Sequence, residues 1–462
     1  MDAQDIVFDA ALLTRFDRPG PRYTSYPSAD RFVDAYDAQT HARTLQRRRL
    51  QPGSRGLSLY VHLPFCNTVC YYCGCNKVVT RDHSRSAKYL VYLEREFDLV
   101  CSRVGSGRTA EQLHSGGGTP TFLSTDELRT LRRLLRERFE LAAGGEYSIE
   151  IDPRTVDAAK MAALCELGFN RFSLGVQDFD PLVQRAVNRI QSFEVTAAAV
   201  ESARAHGCKS INLDLIYGLP MQTPERFAVT LEKVLQLNPE RIALYNYAHL
   251  PALFKPQRRI NEAQLPDAAA RVELLRLAIE TLKGAGYRYI GMDHFARPDD
   301  DLARAQDLGR LHRNFQGYST RADCDLLAFG VSAISAVGPS YSQNFKTLND
   351  YYDCLDQGVL PVMRGIELNA DDLLRRAVIQ SLMCNFELSM QAIEQAYLID
   401  FSKAFATELE QLREYQALGL IELNGEWLSI TPRGRLFVRA ICMLFDRYLR
   451  RSEERARYSK LV

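Results

Sequence analysis

Short runs rich in β-branched and aromatic residues recur at 57–63, 112–114, 147–151, 171–176, 211–216 and 241–245. Helical patterns lie between them, an alternation that restricts the chain more than any other feature. In the clearest of these helices, 126–136, Leu128, Leu131, Leu134 and Leu135 share one face; the others lie at 87–100, 157–167, 195–205 and 224–235. Strand and helix alternating six times, with a repeat of about 30 residues, predict right-handed crossovers and a parallel sheet. The expected fold class is α/β, an incomplete (β/α)6 barrel open on one side to a large substrate, with its site at the C-terminal ends of the strands.

Beyond about residue 267 the pattern changes to longer helical stretches, at 271–283 and 371–384. The segment 419–431 reads as a hairpin turning at Asn424-Gly425, so the end of the chain is expected to be mostly helical and winged-helix-like. The organisation expected is an N-terminal segment closing the active site over 1–50, the barrel and its extension over 51–365, and a helical C-terminal domain over 366–462. A chain of 462 residues, 46% hydrophobic and 25% charged, is long enough for one large core and a second small domain. The formal charge of +1 gives no bulk attraction to nucleic acid or to an anionic membrane. Residues 447–457 are locally basic, but Glu453 and Glu454 dilute the charge, and a solvated helix face is expected there. No apolar run in residues 1–50 suits a signal peptide or membrane span, so a cytoplasmic location is expected.

Seven of the eleven cysteines, Cys101, Cys165, Cys208, Cys324, Cys354, Cys384 and Cys442, are scattered among apolar residues and read as small buried hydrophobes. The odd count and the chain length speak against a disulfide framework. The other four fall within ten residues, Cys66-Asn-Thr-Val-Cys70-Tyr-Tyr-Cys73-Gly-Cys75. Soft thiolates select zinc or iron–sulfur clusters. Structural zinc normally pairs two knuckles, and no second one follows; ferredoxin clusters use four cysteines in a different spacing. Three cysteines on a tight loop can hold three irons of a cubane and leave the fourth iron to an exogenous ligand.

Other motifs follow the expected strands. Ser115-Gly-Gly-Gly-Thr-Pro120 lets a ligand approach the backbone closely. Glu150 is a carboxylate in an otherwise apolar strand, costly unless paired. Leu174-Gly-Val-Gln-Asp178, Val187-Asn-Arg189, Asn212-Leu-Asp-Leu-Ile-Tyr-Gly-Leu-Pro220 and Asn246-Tyr-Ala-His-Leu-Pro251 place polar groups at strand ends or in the loops after them. Together these groups line one face.

The C-x3-C-x2-C spacing after a first strand is similar to the signature of the radical S-adenosylmethionine superfamily. That resemblance implies a radical-SAM barrel in which S-adenosylmethionine chelates the open iron and is cleaved to a 5′-deoxyadenosyl radical, the cofactors carrying the chemistry. A wider set resembles the oxygen-independent coproporphyrinogen III oxidase family over essentially the whole chain: Pro21-Arg-Tyr-Thr-Ser-Tyr-Pro27, Tyr60-Val-His-Leu-Pro-Phe-Cys66, Cys73-Gly-Cys75-Asn-Lys77, Gly291-Met-Asp-His-Phe-Ala296, His312-Arg-Asn-Phe-Gln-Gly317 and Gly330-Val-Ser-Ala-Ile-Ser335.

The family resemblance implies that Cys66, Cys70 and Cys73 ligate a [4Fe–4S] cluster, while Cys75 is a family feature and not a ligand. It implies a first S-adenosylmethionine at Tyr60, Gly117, Glu150 and Ile334. A second would meet Tyr72, Gly118, Thr119, Gln177, Arg189, Asp214 and Ala248. Tyr72 stands where members often have another aromatic, and Ser115 where a larger residue is expected. The implied reaction converts two propionates of coproporphyrinogen III to vinyl groups, giving protoporphyrinogen IX in haem biosynthesis, with an unidentified electron donor and acceptor. Nucleic acid and membrane are not expected partners, and a monomer is the default. Arg22 is a candidate for the substrate carboxylates. The competing readings are a haem chaperone or haem-degrading relative on the same barrel, and an iron–sulfur nucleic-acid-binding regulator using the winged-helix-like end.

Overall fold

The computed structural model describes residues 6–16, 19–50, 56–105 and 108–449; positions 450–457 of the basic stretch lie outside them. Twelve strands form one sheet: β1 (Leu57–Leu63), β2 (Thr109–Gly117), β3 (Glu140–Ile151), β4 (Arg171–Gln177), β5 (Ser210–Tyr217), β6 (Arg241–Asn246), β7 (Arg288–Gly291), β8 (His294–Ala296), β9 (Asp325–Phe329), β10 (Ile334–Val337), β11 (Ser340–Asn344) and β12 (Val362–Glu367). Their order is β12-β11-β10-β9-β1-β2-β3-β4-β5-β6-β8-β7. The seven from β9 to β6 run parallel, and antiparallel strands extend the sheet at both edges.

All six expected strands are present, two of them longer than their apolar signal: 112–114 is the centre of β2, and 147–151 the end of β3. The seventh parallel strand, β9, pairs with the outer edge of β1. Its five residues are all buried, and no helical repeat follows them, so the strand–helix rhythm does not announce it.

The crossover helices are α1 (Ser84–Val104), α2 (Thr125–Arg138), α3 (Ala158–Glu166), α4 (Phe193–Ala205) and α5 (Pro224–Leu237). α2 starts at a capping box in which Ser124 Oγ accepts from the Glu127 N–H and the Glu127 carboxylate from the Ser124 N–H. Its four leucines are buried against the sheet as their spacing predicts. Residues alternate along each strand. Leu59, Val61, Ile149, Phe172, Leu174, Leu213, Leu215 and Ile242 go to the apolar core. Their neighbours Ser148, Glu150, Ser173, Asn212, Asp214 and Tyr245 line cavities on the other face.

The C-terminal region packs a helix, Ala370–Asn385, on a three-stranded sheet of β13 (Glu387–Ser389), β14 (Ile421–Leu423) and β15 (Trp427–Ile430), ordered β13-β15-β14. The expected hairpin turn is there, with Asn424 Oδ1 accepting from the Trp427 N–H. The N-terminal segment straps onto this region: Arg439 Nε donates to Pro21 O at 3.1 Å, Tyr23 Oη to Asp446 at 3.1 Å and Arg433 to Asp9 at 2.7 Å. No helix among the described residues is long and apolar enough to cross a membrane.

Candidate active site

β1 ends at Leu63, and the cysteine loop leaves and returns at one point, where Phe65–Cys66 pairs with Val78–Val79. The loop rests on the glycine turn after β2: the Gly118 N–H donates to Leu63 O and the Thr119 N–H to Phe65 O, both at 2.9 Å. Two of these glycines are needed for space. Gly117 has φ +118, and a Cβ there would stand 2.6 Å from the His62 ring; at Gly118 it would stand 2.5 Å from Pro64 O.

Cys66, Cys70, Cys73 and Cys75 all line one cavity of about 490 Å³, together with Tyr72, Gly117, Gly118, Thr119, Glu150, Gln177, Arg189 and Asp214. Three expected contacts are not on that wall. Tyr60 lies beside it, its hydroxyl 3.1 Å from His62 Nδ1 and its ring stacked on His114. Ile334 packs against Phe32, Tyr341 and Leu368. Ala248 offers its carbonyl to Gln257, which also holds the Tyr72 carbonyl.

Positive charge surrounds the thiols. Arg189 Nη1 and Arg154 Nη2 approach Cys70 Sγ at 3.7 and 4.0 Å, and both arginines pair with Asp152. Thr119 Oγ1 donates to Cys66 Sγ at 3.5 Å, and Lys77 Nζ to Cys73 O at 3.2 Å. Burial pushes the Cys66 thiol up to about 11. The Cys75 thiol donates to Cys73 and, with Lys77 alongside, draws Cys73 down to about 6. Among the described residues no three His, Cys, Asp or Glu side chains converge as a single ion requires. The thiols line the cavity wall, and this soft, cation-flanked donor set fits a polynuclear iron–sulfur cluster.

Across the cavity stand two carboxylates with opposite tendencies. Burial pushes Glu150 up, but the His114 ring at 3.3 Å, the Gly117 N–H at 3.0 Å and the nearby His62 outweigh it and hold the carboxyl below its ordinary value. Burial and the charge of Glu150 push Asp214 up to about 7, against the donors Ser173 at 3.0 Å and Asn212 at 2.8 Å. One carboxylate is thus fixed as an anion while its neighbour titrates near neutrality.

Arg22 is not a free cation at the mouth. It pairs with Asp293 and lines a separate pocket together with Asn246 at the end of β6 and Arg439 of the C-terminal region. Ser115 is fully buried with no partner for its hydroxyl, which records the smaller side chain where the family resemblance leads one to expect a larger one. Asp152, Arg154, Lys77 and His114 were not anticipated. The only hint of the first two was a pair of charges directly after the apolar end of β3.

A strand-end cysteine loop facing a glycine turn inside a partial barrel defines a class, and residues 60–234 match the model of the Radical SAM superfamily. Residues 368–437 match the HemN C-terminal domain. Oxygen-independent coproporphyrinogen III oxidases are similar along their whole length: that of Pseudomonas aeruginosa is 53% identical, covering 99% of both chains, and that of Escherichia coli strain K12 46%, covering 100% of both. The solved structure of the Escherichia coli coproporphyrinogen III oxidase (HemN), described as a radical SAM enzyme, superposes with a TM-score of 0.91 at 47% identity, over 96% of this chain and 100% of that one. The chain belongs to the oxygen-independent coproporphyrinogen III oxidase family.

Proposed function

We propose that the protein converts two propionate side chains of coproporphyrinogen III to vinyl groups without oxygen, giving protoporphyrinogen IX as a step of haem biosynthesis. The observation that carries this reading is the thiol-lined cavity at the C-terminal ends of the barrel strands, in a chain similar end to end to enzymes bearing that name. When bound, the [4Fe–4S] cluster and S-adenosylmethionine supply a 5′-deoxyadenosyl radical able to take a hydrogen atom from the propionate carbon next to the ring.

Cys66, Cys70 and Cys73 hold the cluster, and Arg154, Arg189 and Lys77 offset its charge. Cys75 acts on Cys73 through its hydrogen bond and is not a ligand. Glu150, held anionic, receives the amino group of the first S-adenosylmethionine beside Gly117, and Tyr60 and Ile334 complete that site. Tyr72, Gly118, Thr119, Gln177, Arg189, Asp214 and Ala248 form the site of a second S-adenosylmethionine. All but Ala248 stand on the same cavity wall. The segment 1–50 serves as a cover, the protein acts as a cytoplasmic monomer, and a separate donor and acceptor handle the electrons.

The test is anaerobic turnover of reconstituted enzyme with dithionite, S-adenosylmethionine and coproporphyrinogen III, with product masses resolved. Successive loss of two carboxyl groups with formation of 5′-deoxyadenosine is expected. Stoichiometric haem binding without porphyrinogen turnover would overturn the reading in favour of a chaperone.

A further inference from the structure

Helix α1 turns two polar side chains toward the barrel, Tyr89 and Glu96, on one face and both buried. Both reach the turn over residues 330–333 that joins β9 to β10. β9 runs parallel to β1, with Phe329 beside Val61, so this turn stands at the same end of the sheet as the cysteine loop. Glu96 Oε2 accepts from the Gly330 N–H at 2.7 Å and from the Tyr351 hydroxyl at 2.6 Å, and Glu96 Oε1 accepts from Asn344 Nδ2 at 2.6 Å. Asn344 Nδ2 also donates to Gly330 O at 2.9 Å, so the N–H and the carbonyl of Gly330 are both held. Tyr89 Oη accepts from the Val331 N–H at 2.9 Å and donates to His62 O at 2.8 Å.

The turn is fixed tightly. Gly330 has φ +96, and a Cβ there would run into the Tyr89 hydroxyl and stand 2.7 Å from His62 O. Ser332 is kept at φ +62, a costly conformation for a residue with a side chain, while its N–H donates to Phe345 O at 2.7 Å. The turn also borders the residues given above to the first S-adenosylmethionine on two sides. Along the chain it leads into Ile334, the first residue of β10. Across the sheet it abuts His62, whose Nδ1 lies 3.1 Å from Tyr60 Oη and whose ring fills the space a side chain at Gly117 would need.

Three donors arriving at two oxygens specify a carboxylate. Glutamine in the same place could accept at one atom only and would set its NH2 group against a donor. The carboxylate is kept at a cost, since burial pushes it up to about 7 and only hydrogen bonds oppose that rise. We propose that Glu96, together with Tyr89, positions the first S-adenosylmethionine: from behind the barrel wall it fixes the turn that sets Ile334 on one side and His62, with Tyr60 and Gly117, on the other. The proposal rests on the function given above and adds to it a residue that stands off the cavity wall. With the turn already ordered, binding does not have to order it. Loss of the carboxylate therefore weakens binding and leaves the bound complex competent.

The test compares Glu96→Gln with Leu93→Ala, a core neighbour on the same helix, in the reconstituted protein. The readout is the change in the electron paramagnetic resonance spectrum of the dithionite-reduced cluster as S-adenosylmethionine is added without porphyrinogen. Glu96→Gln is expected to raise the half-saturating concentration about tenfold or more, as for loss of a hydrogen bond to a charged group, with 5′-deoxyadenosine formed at saturation close to the parent rate. Leu93→Ala is expected to lower the denaturation midpoint and keep half-saturation within about twofold of the parent. Tyr89→Phe, which keeps the ring and drops the bonds to Val331 and His62, is expected to shift half-saturation in the same direction as Glu96→Gln, and it serves alone if that variant does not fold. Half-saturation unchanged in Glu96→Gln, an equal rise in Leu93→Ala, or a fall in the saturated rate alone would overturn the positioning role. Absence of any spectral response in the parent would instead overturn the reading on which it rests.

Discussion

The two faces of strands β3 to β6 differ as sharply as two proteins. Outward, Ile149, Phe172, Leu213 and Ile242 are essentially without solvent and form the core under the helices. Inward, Ser148, Glu150, Ser173, Asn212 and Asp214 surround space. Closed barrels of this kind usually fill their interior with branched apolar side chains. This one places polar groups there and relies on the outer layer for stability. The same backbone therefore separates the residues that keep the fold from those that work.

That separation can be broken first at the cysteines. Cys70→Ala should abolish turnover and the reducible iron–sulfur signal while the circular dichroism spectrum is kept; global unfolding would show that the loop also carries the fold. On the outer face, Leu213→Ala should cost about 3 kcal/mol of stability, read by chemical denaturation, with kcat of the folded fraction retained. Its inward neighbour gives the contrast: Asp214→Ala should leave denaturation midpoints far less changed than Leu213→Ala does.

A smaller effect is expected at Glu150→Gln, which loses about 2 kcal/mol of charge-assisted binding, seen as a rise in the S-adenosylmethionine KM of more than tenfold. The last concerns pH. Asp214 titrates at about 7 in the folded protein, above its ordinary carboxylate value of 3.8, so the folded state binds the extra proton between those values. Its contribution to stability is present in full at lower pH and falls as pH rises through that window. Denaturation of the parent at pH 5 and pH 8 should show this decline, and Asp214→Asn should flatten it.

Where sequence separation is short, the reading from residues alone reaches the site. The cysteine loop spans ten positions, and the glycine turn follows the next strand, so spacing and strand order suffice. β9 escapes because its apolar run lacks the helix that marks the other strands. The charged frame of the site escapes for another reason. Arg189 meets Asp152 across 37 residues, and Arg22 meets Asp293 across 271, so only the folded chain reveals that the expected substrate cation already has a partner.

The strap has a consequence for the order of events during synthesis. Pro21 receives Arg439 across 418 residues, and Tyr23 reaches Asp446 across 423. Contacts of such separation close late, after the barrel strands have emerged from the ribosome and paired with their neighbours. The strap is therefore tied only after the C-terminal helices that receive it have been made, so the two ends of the chain join last.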